Sequence, residues 1–132
     1  MRAGPVAIIL AAIAGPALAA PADPAAAART WLGLIDRGAY ANSWTEAGTL
    51  FRTQVSQARW AGMAAGVRGP LGAVMSRTVA GDRRSTSLPG APDGHYARLR
   101  FSTVFAHKRQ ATETVVMADE PSGWRVDGYF IR

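Results

Sequence analysis

Residues 57–80 read QARWAGMAAGVRGPLGAVMSRTVA, and the fold turns on what happens at Gly72. Before it, Trp60, Met63, Ala64 and Val67 recur at i, i+3, i+4 and i+7. That spacing is one apolar face of a helix over 57–67, which Ser56 can cap. Gly69-Pro70 and Gly72 are its stop signals. After Gly72 the period changes from helical to alternating, and 73–80 (AVMSRTVA) reads as a strand.

Toward the N-terminus the pattern stays helical. Asp23-Pro24 is a helix start, with Asp as N-cap and Pro at the first position, where its missing N–H costs nothing. Ala28, Trp31, Leu32 and Ile35 then form one apolar stripe, and Gly38 is a fitting residue just past the helix end. A second short helix is expected around 39–48, with Tyr40, Trp44 and Ala47 on one face. Residues 49–55 (TLFRTQV) read as a connection.

Toward the C-terminus the pattern is strand and turn. Residues 81–84 (GDRR) read as a turn and 85–94 (STSLPGAPDG) as a loop rich in Pro, Gly and Ser. In the strand 95–105 (HYARLRFSTVF), Ala97, Leu99, Phe101, Thr103 and Phe105 share one face. Tyr96, Arg98, Arg100 and Ser102 share the other. A turn at 106–109 leads to a strand over 110–118. Glu120-Pro121-Ser122-Gly123 suits a tight turn. The last strand is 124–131 (WRVDGYFI). Helices first and strands afterwards predict an α+β fold, with two or three N-terminal helices packed on one face of a curved four-stranded antiparallel sheet. That order and size resemble the cone-like nuclear-transport-factor-2-like fold, also called cystatin-like.

The chain has 132 residues, 48% of them hydrophobic and 18% charged, which fits one globular domain and not a disordered chain. Lys and Arg number 15 against 9 Asp and Glu, a formal charge of +6. There is no cysteine, so a disulfide scaffold, a thiolate zinc site and a cysteine nucleophile are all excluded. Residues 1–19 (MRAGPVAIILAAIAGPALA) have one basic residue, a short apolar run over 6–14 and small residues, Ala17 and Ala19, at −3 and −1 of a cleavage point after Ala19. This is the pattern of a cleaved export signal, too short to span a bilayer comfortably. The expected layout is a signal peptide at 1–19 and a single domain at 20–132, periplasmic or secreted, with no transmembrane segment after processing. Losing Arg2 leaves 14 basic against 9 acidic residues, a charge of +5.

The segments WLGLIDRGAYANSW (31–44), Trp60, VRGPLGAVMSR (67–77), LPGAPDGHY (88–96), ETV (113–115) and WRVDGYFI (124–131) resemble the bacterial family DUF4019. The resemblance implies a small exported protein. It implies no catalytic residue, because the family has no assigned chemistry.

The strong chemical motifs are missing: GxGxxG, GxxxxGK[ST], HExxH, CxxC and GxSxG are all absent. The two histidines, His95 and His107, fall in turns, and no metal site or cofactor is expected. Glu113 is the informative residue. It shares strand parity with Ala111, Val115 and Met117, so it faces the core, where a carboxylate needs a partner. Arg77 or Arg68 can tie it into the structure; alternatively it lies in a polar pocket that binds a ligand or acts as a base. Trp60, Arg77, Tyr96, Glu113 and Tyr129 are the candidate ligand-binding residues, and no catalytic residue is assigned. Arg98 and Arg100 should face solvent, paired across the sheet with Asp127 or Glu120. The leading expectation is a non-catalytic module of the cell envelope that binds a small ligand or an envelope protein. A small cone-fold isomerase, dehydratase or cyclase using Glu113 is the enzyme alternative, and a structural or homodimerising module the third. The basic charge suits an anionic envelope surface. Without an RNA-binding signature, it does not imply specific nucleic-acid recognition.

Overall fold

The computed structural model describes residues 23–132; the predicted export signal at 1–19 lies outside the described residues. Four helices precede four strands. They are α1 (Pro24–Asp36), α2 (Tyr40–Thr45), α3 (Thr49–Gln54) and α4 (Gln57–Leu71), then β1 (Val74–Ser85), β2 (Tyr96–Phe105), β3 (Lys108–Glu120) and β4 (Gly123–Ile131). The strands form one open antiparallel sheet in the order β1-β2-β3-β4. The α+β class and the helices-then-sheet order are as the sequence predicts.

Local chemistry explains the helix limits. The Asp23 side chain accepts the Ala25 N–H at 3.2 Å, and Pro24 opens α1. At the other end Gly38, at φ 76°, closes α1. Its N–H bonds the Ile35 carbonyl and the Ala39 N–H bonds Leu34, the paired bonds of a Schellman ending. Ser56 caps α4 through the Arg59 N–H.

Three expectations need correction. Residues 49–55 are not a plain connection, because 49–54 form α3. The cap that the local sequence lacks is supplied by Glu120, whose carboxylate accepts the Thr49 N–H at 3.1 Å and its hydroxyl at 2.6 Å. The helix expected to end at 67 runs on to Leu71 through Pro70, since a proline near the end forfeits only one helical bond. That extra turn carries Arg68 to the core. In the sheet, the turn expected at 81–84 is instead the second half of β1. A bulge between Val79 and Gly81 absorbs one residue and pairing resumes to Ser85. The Arg100 guanidinium lies across Gly81, 3.1 Å from where a Cβ would stand.

The core is where α1, α2, α3 and α4 meet the inner sheet face. Ala97, Leu99, Phe101 and Phe105 of β2 and Val115 and Met117 of β3 are buried, the parity the alternation predicts. Each large side chain removed from water contributes about 1.5–3 kcal/mol. The indole N–H groups join the helices to one another. Trp31 and Trp60 donate to the Ser43 carbonyl and hydroxyl, both at 2.8 Å, and Trp44 donates to the Val55 carbonyl at 2.7 Å.

Candidate functional site

Glu113 stands at the centre of the inner sheet face with no solvent exposure. Its Oε1 accepts Arg77 Nε at 2.7 Å and the Thr103 hydroxyl at 2.5 Å. Its Oε2 accepts the Tyr129 hydroxyl. The three donors come from β1, β2 and β4, so one carboxylate on β3 ties all four strands together. The pairing with Arg77 is one the sequence allowed.

The network continues into the helices through Asp36, which the sequence reading passed over. Arg77 grips Asp36 with both terminal nitrogens, at 2.7 and 2.9 Å, and Arg68 Nη2 reaches the same carboxylate at 2.9 Å. Asp36 is the last residue of α1, where the helix dipole disfavours a negative charge. Two arginines overcome that. Burial pushes the Asp36 carboxyl up, but the hydrogen bonds and charges of Arg77 and then Arg68 outweigh it and hold it below the usual range. Burial likewise works against the Arg77 charge, yet Asp36 and Glu113 hold its guanidinium more firmly protonated than usual. Burial and the Glu113 charge push the Tyr129 phenol far up, so it serves as a donor. Two cations and two anions leave the network neutral. Arg68, with its side chain only 4% exposed, also stacks over Phe105 at 4.8 Å, while its Nε and Nη1 have no hydrogen-bond partner.

Beside this network runs a groove of about 370 Å³ between α4 and β4. Trp60, Met63, Val67, Tyr129, Phe130 and Ile131 line it, with Arg68 and Arg132 at its polar margins. Met63 and Val67 are each 54% exposed and Phe130 is 59% exposed, so the groove is open and apolar. Tyr129 belongs to both features: its ring walls the groove and its hydroxyl closes over Glu113. Trp31 backs it edge-on at 5.4 Å and touches Trp60 at 6.1 Å. A second hollow, of about 710 Å³ between α1, α2 and β4, includes none of the five predicted residues.

Of those five, Arg77, Glu113 and Tyr129 meet in the network and Trp60 joins them through the groove. Tyr96 does not: it sits at the far end of β2, where its hydroxyl bonds the Pro92 carbonyl. Asp36, Arg68 and Thr103 complete the cluster. The signal that finds Thr103 is its place among the buried residues of β2; nothing local marks Asp36. Arg98 and Arg100 face solvent as expected, but not in the expected pairs. Glu120 is taken up by Thr49, and Asp127 Oδ1 is buried without a hydrogen-bond partner. Among the described residues, no three of His, Asp or Glu converge as a metal-binding group would.

A family model described as "Protein of unknown function (DUF4019)" matches residues 27–129. No curated protein matches the chain.

Proposed function

The chain belongs to the DUF4019 family, and for it we propose a non-catalytic binding role: an exported envelope domain that takes a small, largely apolar ligand in the groove between α4 and β4. One observation carries this reading. The core carboxylate of the network, Glu113, is fully enclosed and hydrogen-bonded on both oxygens, while the groove next to it is open and apolar. A general base needs a free lone pair within reach of substrate. Glu113, unexposed and covered by the Tyr129 hydroxyl, is out of that reach, which favours binding over an isomerase, dehydratase or cyclase built on it. Pockets that hold small molecules are mostly apolar with few polar groups, at about 300–1,000 Å³. The groove is at the low end of that range, with Arg68 and Tyr129 as its polar contribution.

Export rests on residues 1–19, and the helices-before-sheet order is what a nuclear-transport-factor-2-like cone has. The binding test uses anilinonaphthalene sulfonate, an aromatic dye that carries one sulfonate. Dye fluorescence should rise with the wild-type protein. Val67→Glu, on the exposed wall, should weaken the affinity about tenfold, a loss of about 1.4 kcal/mol. Equal affinity in the folded variant would overturn the groove as the site. N-terminal sequencing of envelope-fraction protein tests export, with Ala20 expected as the first residue and Met1 as the refuting result.

A further inference from the structure

The outer face of the sheet is basic in a way that its own cross-strand pairing does not explain. Directly opposed residues in an antiparallel pair share a face. Register therefore places Arg83 of β1 opposite Arg98 of β2, in a row that continues to Val116 and Gly128. The next row is Gly81, Arg100, Thr114 and Phe130, and the one after it Thr78, Ser102 and Thr112. None of these residues is acidic. Arg83, Arg98 and Arg100 are all exposed, and none forms an ion pair with a described residue. Like charges directly opposed across strands destabilise a sheet. Here the pair is kept, and a third arginine stands two residues along, about 7 Å away on the same face.

An apolar element belongs to the same surface. Phe130 closes the Arg100 row at the edge strand, 59% exposed, with its ring lying back over Gly128 beside Val116. The face thus joins a compact set of unpaired guanidinium groups to one exposed ring. Cations meet anionic headgroups and a ring enters the boundary beneath them; that combination fits a bilayer interface. It lacks the paired stacking aromatics on central strands that single-stranded nucleic acid uses.

From this placement we infer that the outer sheet face of Arg83, Arg98, Arg100 and Phe130 docks the domain on an anionic lipid bilayer. The helical layer then points away from the membrane, and Phe130, at the rim of the groove, is shared by the two surfaces. The docking face does not depend on the groove's being a ligand site, since the two are tested by different variants and different readouts.

The experiment is vesicle sedimentation of the full chain as purified from its host. Phosphatidylcholine vesicles doped with phosphatidylglycerol are compared with phosphatidylcholine alone. Each arginine at an anionic surface is worth about fivefold in partitioning. Arg98→Gln with Arg100→Gln should therefore weaken binding to the anionic vesicles on the order of thirtyfold. Arg52→Gln with Arg59→Gln removes the same charge from the helical layer and should change binding by less than about threefold. Both double variants should keep the wild-type circular dichroism and melting curve, because the replaced side chains are exposed. Should the Arg98/Arg100 pair fail to fold, Arg83→Gln alone must still cost about fivefold. Equal losses from the two double variants would reduce the effect to net charge and overturn the face. So would equal binding to both vesicle types, or tighter binding to a single-stranded oligonucleotide than to the anionic vesicles.

Discussion

Replacing Glu113 by Gln keeps the shape of the side chain and deletes its charge. Taking one partner from a buried ion pair costs about 3–5 kcal/mol, because the other charge is left behind in a poor solvent. Arg77 keeps both contacts to Asp36, at 2.7 and 2.9 Å, so Glu113→Gln belongs at the lower end, about 3 kcal/mol. Arg77→Met is worse. It leaves Glu113, with no solvent exposure, dependent on the hydroxyls of Thr103 and Tyr129, and should cost about 5 kcal/mol. The double variant removes both charges together and leaves Asp36 to Arg68. It should cost about 5 kcal/mol, not the additive 8 or so, a coupling of about 3 kcal/mol. Urea unfolding at pH 7, followed by tryptophan fluorescence, measures all three against the parent at matched m-values. In a domain of this size the Glu113→Gln loss corresponds to about 12 °C in Tm. A Glu113→Gln protein within 1 kcal/mol of wild type, or a double variant that is simply additive, would refute the network as the anchor of the fold.

Three further outcomes follow from neighbouring groups. Asp36→Asn should cost about 3 kcal/mol at neutral pH by stranding Arg68. The lowered Asp36 pKa also means that its contribution is complete above 3.8 and is lost as the pH falls through the lowered value, so the variant's Tm should fall less steeply in acid. Burial, aided by the Glu120 charge, raises the Asp127 carboxyl against the backbone hydrogen bond from Phe51. Ionised Asp127 therefore opposes folding, and the penalty is absent below 3.8 and grows as the pH rises through the raised value; Asp127→Asn should gain about 0.5 kcal/mol at pH 7 and nothing at pH 3, read from paired melting curves. Gly72→Ala forces a Cβ into φ 74°, ψ −164°, and to within 2.6 Å of His107 Cδ2. It should cost about 1–3 kcal/mol, and a loss under 0.5 kcal/mol in urea unfolding would contradict the strain.

What the sequence made legible depended on how far apart the cooperating residues lie. The stripe Ala28, Trp31, Leu32 and Ile35, the caps at Asp23 and Ser56 and the alternation of β2 are local, and each was readable from its own segment. The core-facing parity of Glu113 was readable too, because period two carries it across β3. The α3 helix was not, since its cap is Glu120, 71 residues away in the chain. Asp36 was hidden for the same reason. A carboxylate at a helix C-terminus looks unremarkable until Arg77, 41 residues later, reaches back to it. The second half of β1 was misread because Gly81-Asp82 carries turn chemistry, while the bulge that overrides it exists only against β2.

The four-strand tie at Glu113 has a consequence for the order of assembly. Its ligands arrive from positions 77, 103 and 129, so the last is delivered by the final strand. Until β4 docks, Oε2 has no donor and the groove has no wall. A chain stopped before residue 129 would present a half-paired carboxylate where the core should close. Cooperativity is therefore built into one side chain: partial sheets are penalised at Glu113, and the native state is reached only when all four strands are in place.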